Sequence, residues 1–446
     1  MKPLLLIAGT RPEIIKLAPV IRWLQRLEAS YVLVWSGQHY DYRLSGLFFE
    51  ELGLPHPEED LHVGSGTHAE QTGKCMTELE SLLGKRSPSF VVGLGDTNTV
   101  LASALTAAKC LIPFAHIEAG LRSWDFRMPE EVNRRATDSI ATILFAPTRL
   151  AAINLLCEGV ARSRVYVTGN TIVDVVRECR DEALRRSERI LSELSLERDA
   201  FILATLHRAE NTDSPERLSS ILKALEELSK SYPIVFPMHP RTRNTIARLG
   251  LAACLDGLKT MEPLGYLDFL GLLSSCLMVL TDSGGVQEEA FTLKTPTVTL
   301  RYNTERPETT IYGINVLAGA DRERIVRLAL DQAERSLEIR KLSFPNPLGD
   351  GLAGRRIAEA LKEKGEAGLA LEEPDLRDKP IIEYRLLDDG CRLWDPSTST
   401  STSVSVSVLD LLEGFTEDGR SMLPEGGRKV LARIKVLPHD KGPPDP

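Results

Sequence analysis

Several features are scarce or missing in this sequence, and each absence excludes a class of protein. The seven cysteines of the 446-residue chain are scattered, odd in number and never spaced as C-x-x-C, which excludes a disulfide framework and indicates a reducing compartment. No apolar run approaches ~18 residues, so we expect no transmembrane helix. The chain runs from Met-Lys-Pro directly into an apolar segment without a leader and cleavage site, so a cytoplasmic protein is expected.

An excess of positive charge is also absent. The chain has 54 Lys and Arg against 63 Asp and Glu, a net charge of −9, which leaves no basic face for nucleic acid. Any phosphate that the protein binds is therefore expected to belong to a small ligand held by a few local cations. Hydrophobic residues make up 42% and charged residues 26%, as in globular proteins, and the length predicts two or three domains.

Complete signatures for NAD, ATP and zinc are missing. The segment Gly95-Asp-Thr-Asn-Thr99 follows a predicted strand as a dinucleotide fingerprint would, but Asn98 stands where the third glycine is needed. The segment Gln71-Thr-Gly-Lys-Cys75 lacks the upstream glycine and the Ser/Thr of an ATP-binding loop. The eight histidines show no H-E-x-x-H spacing, and His62 with His68 forms only a weak pair. We predict no cofactor and no metal.

A glycine-rich turn near residue 283 is the first positive signal. Residues 277–280 form an apolar run of strand length. Asp282-Ser-Gly-Gly has the residue types of a turn, and residues 286–291 have the pattern of the first turns of a helix. Backbone N–H groups at such a helix N-terminus suit phosphate, and a side chain at either glycine would block a diphosphate. An ordinary strand-to-helix turn with a Ser cap explains these residues equally well.

Strand-like apolar runs alternate with helix-like segments, which predicts an α/β protein with parallel sheets covered by helices on both faces. The predicted strands are 3–8, 31–35, 90–94, 113–117, 144–146, 165–167, 201–205, 234–237, 277–282 and 297–300. A hinge-like segment at 168–171 separates a first domain, 1–170, from a second, 171–370. Residues 371–446 are an appendage of unknown role, whose low-complexity Ser/Thr/Val stretch is either an edge strand or a tether.

Polar side chains follow the predicted strands in both domains. Arg11, Asp96, Glu118, His207, His239 and Ser283 each stand just after one of these strands. Ligands of open α/β sheets bind outside the carboxyl ends of the strands, so we expect these residues to line a cleft between the domains. Arg11 and Lys16 lie at the start of a predicted helix, where cations oppose the helix dipole; they are surface cations or they hold an anion.

Seven blocks of sequence carry a resemblance to a known family. They are Gly9-Thr-Arg-Pro-Glu-Ile-Ile-Lys16, Gly95-Asp-Thr-Asn-Thr99, His116-Ile-Glu-Ala-Gly-Leu-Arg122, Pro129-Glu-Glu-Val-Asn-Arg134, His207-Arg-Ala-Glu-Asn211, Asp282-Ser-Gly-Gly-Val-Gln-Glu-Glu289 and Thr304-Glu-Arg-Pro-Glu308. Over residues 1–365 the chain resembles the non-hydrolysing UDP-N-acetylglucosamine 2-epimerases. The amino-acid sequences of its motifs are more similar to those of archaeal-type members. The resemblance implies the GT-B fold, two Rossmann-like doubly wound domains around a central cleft, with the appendage added here. It also implies a homodimer.

The resemblance also implies roles for individual residues. Asp96, Glu118 and Glu131 match the catalytic carboxylates of the family, and His207 matches its catalytic histidine. The substrate contacts implied are Arg11, Lys16, Asp96, Glu118, His207, Phe269, Ser283, Gly284, Gly285, Glu289 and Arg306. Within these, the resemblance places 283–285 at the diphosphate, Glu289 at the ribose and Phe269 by the uracil. The choice of Glu131 over Glu130 stays open, as does which carboxylate is the acid and which the base.

The reaction implied by the resemblance is the reversible epimerisation of UDP-N-acetylglucosamine to UDP-N-acetylmannosamine without a cofactor. Family members eliminate UDP across C1–C2 to give 2-acetamidoglucal and add UDP back with protonation on the other face. This chemistry needs carboxylates on both faces of C2 and cations that hold the leaving diphosphate. The alternatives are a GT-B glycosyltransferase, a hydrolysing epimerase that releases N-acetylmannosamine and UDP, and a UDP-sugar sensor.

Overall fold

The computed structural model describes residues 2–37 and 49–367 in full, and the backbone of three further strands within 383–404. Most of the predicted appendage, 371–446, lies outside the described residues. Within the described part, no helix is long and apolar enough to cross a membrane.

Seven parallel strands form the first sheet, in the order β3-β2-β1-β4-β5-β6-β7. They are β1 (Leu4–Ala8), β2 (Tyr31–Trp35), β3 (Glu59–Asp60), β4 (Phe90–Leu94), β5 (Phe114–Ile117), β6 (Ile143–Ala146) and β7 (Val165–Val167). The predicted strands at 31–35, 90–94 and 165–167 are confirmed residue for residue. Strand β3 escapes prediction because two acidic residues carry no apolar pattern.

Helices cover both faces of this sheet. They are α1 (Arg11–Arg26), α2 (His68–Arg86), α3 (Asn98–Lys109), α4 (Pro129–Ile140), α5 (Arg149–Cys157) and α6 (Thr171–Glu193). Alternate residues of β1 enter two separate cores: Leu4 and Leu6 pack with α1 and α6, whereas Leu5 and Ile7 pack with α2 and α3. Successive side chains of a strand point to opposite faces, so the continuous apolar run of β1 serves both layers.

A second parallel sheet has the order β10-β9-β8-β11-β12-β13. Its strands are β8 (Ile202–Thr205), β9 (Ile234–Pro237), β10 (Lys259–Met261), β11 (Met278–Thr281), β12 (Thr297–Thr299) and β13 (Asn315–Leu317). Its helices are α7 (Ala209–Thr212), α8 (Pro215–Leu228), α9 (Pro240–Arg248), α10 (Tyr266–Ser275), α11 (Gly284–Leu293), α12 (Pro307–Ile311), α13 (Arg322–Glu334) and α14 (Ser336–Lys341). The predicted α/β fold with two Rossmann-like domains is confirmed.

The chain then returns to the first layer through α15 (Ala353–Ala367). The carboxylate of Asp174 accepts hydrogen bonds from the N–H groups of Ala353 and Gly354, which begin this helix. A Cβ at Gly354 would lie 2.5 Å from the Cβ of Pro19 in α1, so only glycine permits this close approach. The sequence pattern counts α15 with the second domain, but it packs on α1. The boundary at 170 stays a prediction.

Three antiparallel strands follow, β14 (Glu383–Leu387), β15 (Gly390–Asp395) and β16 (Thr400–Val404), in that order across their sheet. Part of the Ser/Thr/Val stretch is therefore a strand at the edge of this small sheet. That result agrees with the edge-strand alternative for this segment.

Candidate active site

The carboxyl ends of the two sheets face each other, and polar contacts join them. The ammonium of Lys16, on α1, lies 2.8 Å from a carboxylate oxygen of Glu288 on α11. Arg208, after β8, donates to Glu130 on α4 at 2.8 Å. These pairs join an element of the first domain to one of the second. Two of the strand-end residues predicted to share one site lie at this junction, since Glu118 contacts Lys16 and Arg11 donates to the carbonyl of Leu264 in the second domain.

Lys16 and Glu118 form the centre of this junction. Both side chains are buried, and Lys16 Nζ lies 2.5 Å from Glu118 Oε1. Burial alone would lower the pKa of Lys16, but the carboxylates of Glu118 and Glu288 outweigh it and raise that pKa. Burial also raises the pKa of Glu118, against the opposing charge of Lys16. A buried carboxyl with a raised pKa beside a cation is suited to exchange protons with a substrate.

The N-terminus of α1 is closed by a side chain of the helix itself. The carboxylate of Glu13 accepts hydrogen bonds from the N–H groups of Gly9 at 2.6 Å and Thr10 at 2.8 Å. Such a reciprocal cap satisfies the first donors of the helix. Lys16 points instead to the junction, and Arg11 donates to the carbonyl of Leu264 in the second domain at 3.2 Å. Arg11 and Lys16 therefore both contact the second domain, whereas the carboxylate of Glu13 occupies the N–H groups of Gly9 and Thr10.

Arg134 connects two of the predicted catalytic carboxylates. Its Nη1 lies 2.5 Å from Asp96 Oδ2, and its Nη2 lies 2.8 Å from Glu131 Oε2. Glu131 is fully buried and also accepts the backbone N–H groups of Ser123 at 2.9 Å and Trp124 at 3.3 Å. The carboxylate of Glu131 thus holds the loop before α4, whereas Asp96 is more accessible.

His207 is oriented by Asp282, which the sequence patterns do not single out. The Nδ1 atom of His207 lies 3.3 Å from Asp282 Oδ1, and the carboxylate also accepts the N–H of Arg208 at 2.9 Å. The His207 side chain is 46% accessible. Desolvation lowers the pKa of His207 although Asp282 opposes the shift, so the ring is readily neutral near pH 7.

The glycine-rich turn forms a helix N-terminus, as predicted. Ser283 is the N-cap of α11, and the first turn of this helix holds no acidic residue. A Cβ at Gly284 would lie 3.1 Å from the Arg306 guanidinium, whereas a Cβ at Gly285 would meet only Ser283 Oγ, at 4.0 Å. No protein group requires glycine at 285, so its small size leaves room for a ligand at these N–H groups.

Arg306 extends the charged network on the second domain. Its Nε lies 2.7 Å from Glu288 Oε1, and its Nη1 lies 3.3 Å from Glu305 Oε2. The carboxylate of Glu288 therefore pairs with both Lys16 and Arg306. The sequence motifs assign a ligand contact only to its neighbour, Glu289. Glu289 is also buried, and desolvation raises its pKa to about 8.

Phe269 lies apart from these ion pairs. It is half-buried on α10 and packs with Leu264 in an apolar cluster of the second domain. His239 caps α9, since its Nδ1 accepts the N–H of Arg241 at 3.2 Å. Among the described residues, no group of three or more His, Cys, Asp or Glu side chains is placed to hold a metal ion.

Comparisons with known proteins agree with this architecture. Residues 23–362 match the UDP-N-acetylglucosamine 2-epimerase family. The UDP-N-acetylglucosamine 2-epimerase of Methanocaldococcus jannaschii is 46% identical over 362 residues, which cover 80% of this chain and 98% of that protein. The UDP-2,3-diacetamido-2,3-dideoxy-D-glucuronate 2-epimerase of Pseudomonas aeruginosa is 45% identical over 361 residues, covering 80% of this chain and 99% of the relative.

A solved structure shows the same fold. The crystal structure of the M. jannaschii UDP-GlcNAc 2-epimerase in complex with UDP-GlcNAc and UDP is 44% identical and has a TM-score of 0.75, covering 81% of this chain and 99% of that chain. Because the family match and the relatives each cover most of the chain and a solved structure has the same fold, this chain belongs to the UDP-N-acetylglucosamine 2-epimerase family.

Proposed function

We propose that this protein interconverts UDP-N-acetylglucosamine and UDP-N-acetylmannosamine by inverting C2, without an added cofactor. The observation that carries the proposal is the position of the Lys16–Glu118 pair, at a junction that also holds Arg306 and the N-terminus of α11. A carboxyl that can exchange a proton thus lies next to groups that can hold a diphosphate. The relatives whose printed names describe 2-epimerases support the same reaction.

In the reaction that we propose, the C1–oxygen bond breaks and its electron pair leaves with UDP. A carboxylate takes the proton from C2, and 2-acetamidoglucal remains. UDP then adds back at C1 while a carboxyl protonates C2 from the opposite face. Lys16, Arg306 and the N–H groups of 283–285 hold the diphosphate through both steps, because charge stabilisation at the leaving group lowers the barrier.

The carboxylates divide this work according to their surroundings. Glu118, whose pKa is raised by burial, and Asp96 are the groups that we propose for proton transfer. Glu131 acts indirectly, because it binds Arg134, and Arg134 also binds Asp96. His207, oriented by Asp282, stabilises the departing phosphate, while Glu289 binds the ribose and Phe269 lies beside the uracil. Arg11 completes the contacts of the substrate with the first domain.

The test is proton NMR of the purified protein with UDP-N-acetylglucosamine in D₂O, with no cofactor added. We expect UDP-N-acetylmannosamine to appear, with deuterium entering at C2. Glu118→Gln should lose this activity, whereas Glu363→Gln, on the exposed side of α15, should keep it. Release of free N-acetylmannosamine and UDP would replace the proposal with the hydrolysing reaction. An unchanged spectrum with intact UDP binding would indicate a transferase or a sensor.

A second set of reactions in the same assay tests which UDP-sugar the protein accepts. A relative named for UDP-2,3-diacetamido-2,3-dideoxy-D-glucuronate is 45% identical, almost as similar as the M. jannaschii enzyme at 46%. We propose UDP-N-acetylglucosamine as the substrate. Exchange at C2 that is much faster with the diacetamido sugar would reverse this assignment while keeping the reaction.

We also propose that the protein acts as a homodimer in the cytoplasm and that its two domains close on UDP. Closure would exclude water from the glycal and keep it from hydrolysis. Light scattering should give twice the chain mass of 49.3 kDa, and small-angle scattering should show compaction when UDP is added. A monomer, or an unchanged radius with UDP bound, would contradict the corresponding part of the proposal.

A further inference from the structure

A histidine that is not matched to any substrate contact lies beneath both candidate proton-transfer groups. His116 is fully buried on β5. Its Nδ1 lies 2.6 Å from Asp138 Oδ1, and its Nε2 lies 2.8 Å from the carbonyl oxygen of Gly95. A carbonyl oxygen only accepts hydrogen bonds, so Nε2 carries a hydrogen in this arrangement.

The partner of Nδ1 is an acceptor as well. The other oxygen of Asp138 accepts the N–H of Gly120 at 3.0 Å and lies 2.7 Å from Arg122 Nη1. The guanidinium of Arg122 is always charged and lies against Asp138, which keeps this carboxylate ionised. With acceptors at both ring nitrogens, the hydrogen-bond pattern is satisfied only when His116 is an imidazolium.

The surrounding charges are compatible with a buried imidazolium. Arg122 also pairs with Glu158 at 2.6 Å, and Arg135 approaches Glu158 at 3.4 Å from the surface side. The cations of His116 and Arg122 are therefore matched by the carboxylates of Asp138 and Glu158. A buried charge is tolerated when it is paired and hydrogen-bonded in this way.

The hydrogen bonds of His116 and Asp138 reach the backbone next to both proposed proton-transfer groups, Asp96 and Glu118. Gly95 directly precedes Asp96, and its carbonyl is held by His116. Glu118 lies between His116 and Gly120, both of which bind Asp138, and its own backbone is left-handed with φ of 68°. Non-glycine residues enter that region only when their surroundings impose it. The carboxylate of Asp138 thus binds the His116 side chain on one side of Glu118 and the Gly120 backbone N–H on the other, and His116 in turn binds the backbone next to Asp96.

We propose that the His116 imidazolium, paired with Asp138, is a positioning residue that fixes the placement of Asp96 relative to Glu118. The proposal rests on the epimerase function proposed above, because the distance between these two carboxyl groups matters only if both act on one substrate carbon. If the ring loses a proton, one nitrogen faces an acceptor with a lone pair. The Gly95 carbonyl or Asp138 is then repelled, and the two segments move relative to each other.

The first experiment examines the ring itself and uses a variant only to identify its signal. Nitrogen-15 NMR of the full-length protein labelled at histidine, with the His116 signal identified by its loss in His116→Gln, reports the protonation of both nitrogens. We expect two protonated nitrogens at neutral pH. A neutral tautomer would overturn the proposal, and this result does not depend on which substrate the enzyme uses.

The second experiment measures kcat, KM and UDP affinity for His116→Gln and Asp138→Asn. His62→Gln is the matched control, because the His62 side chain is 82% exposed. We expect kcat to fall by about 10²-fold in His116→Gln, since misplacement by about 1 Å has that effect, while UDP affinity is retained. Retention of kcat in a folded variant would overturn the proposal, whereas an inactive wild-type protein would count against the proposed function alone.

The pH profile separates positioning from general damage to the fold. Asp138→Asn keeps a hydrogen-bonding group beside His116 but removes the negative charge that stabilises the second ring proton. The dependence of kcat on pH should therefore differ between Asp138→Asn and the wild type. A uniform loss of kcat with an unmoved profile would show a merely structural role for Asp138.

Discussion

The ammonium of Lys16 and the carboxylate of Glu288 lie 2.8 Å apart and join the first domain to the second. The same carboxylate lies 2.7 Å from Arg306 Nε, so one anion neutralises two buried cations. A diphosphate that reaches these cations meets a site whose charge is already balanced. Its binding must therefore redistribute the contacts of Glu288 and Glu118.

Replacing Glu288 with glutamine should destabilise the protein and strengthen its response to UDP. Without this carboxylate, Lys16 and Arg306 keep only one carboxylate partner each, and removing one partner of a buried ion pair costs about 3 kcal/mol. Differential scanning fluorimetry should show a lower melting temperature without ligand and a larger increase with UDP than in the wild type, because the diphosphate supplies the missing anion. Glu363→Gln, on an exposed helix face, is the control. An unchanged UDP response would show that Glu288 does not share its cations with the ligand.

Replacing Gly285 with alanine should increase the stability of the fold but weaken ligand binding. The added Cβ meets only Ser283 Oγ at 4.0 Å, and alanine in place of helical glycine stabilises by about 0.5–1 kcal/mol. The methyl group nevertheless occupies the approach to the N–H groups of α11, so UDP affinity should fall at least about tenfold, or ~1.4 kcal/mol. Calorimetric titration and thermal unfolding check both parts. Gly73→Ala on α2, with no atom within 4 Å of the new Cβ, should leave UDP affinity unchanged.

UDP binding should release a proton from Glu289. Desolvation raises the pKa of this carboxyl to about 8, so much of it is protonated at neutral pH, whereas a carboxylate that binds two ribose hydroxyls must accept both hydrogens. The heat of UDP binding at pH ~7.5 should therefore depend on the ionisation enthalpy of the buffer, and affinity should weaken as the pH falls below ~8. In Glu289→Gln this buffer dependence should disappear. Identical heats in phosphate and Tris would contradict the assignment.

The free energy of unfolding should decrease as the pH rises from ~6.5 to ~8.5. Burial raises the folded-state pKa of Glu13 to about 7 and that of Glu289 to about 8, from 4.5 in the unfolded chain. The folded protein therefore binds protons that the unfolded chain has already lost, so stability declines with rising pH while these protons are held, and the decline ends when both groups have dissociated. His207, whose pKa is lowered, opposes this trend only below ~6.5. Urea unfolding at several pH values should show the decline and a shallower slope for Glu289→Gln.

Much of the fold follows from local sequence. Strands β2, β4 and β7 have the predicted bounds, and Pro12 and Pro129 stand in the first turns of their helices, where proline is favoured. Apolar runs, turn residues and helix-start signals each act over a few positions, so they can be read without knowing the rest of the chain. The edge strands β3 and β10 contain charged or exposed residues and give no such signal.

The candidate site also has some features that follow from the sequence and others that depend on packing. The order of motifs along the chain places Asp96, Glu118, His207 and Ser283 after strands, and parallel sheets bring the ends of those strands together. The sequence leaves the choice between Glu130 and Glu131 open and gives Glu288 no role beside Glu289, because neighbours in a helix point in different directions according to the packing of that helix. The structure directs Glu288 to Lys16 and Arg306, and Glu130 to Arg208.

The sequence by itself determined the two α/β domains, the family and the glycine-rich turn, since these depend on local pattern and on the order of motifs. Only the tertiary structure decided the charge network. Lys16 meets Glu118 across 102 positions of sequence, and His116 reaches Asp138 across 22. Pairs of this kind form because buried charges require partners, and which partner is within reach is decided by how the sheets and helices pack.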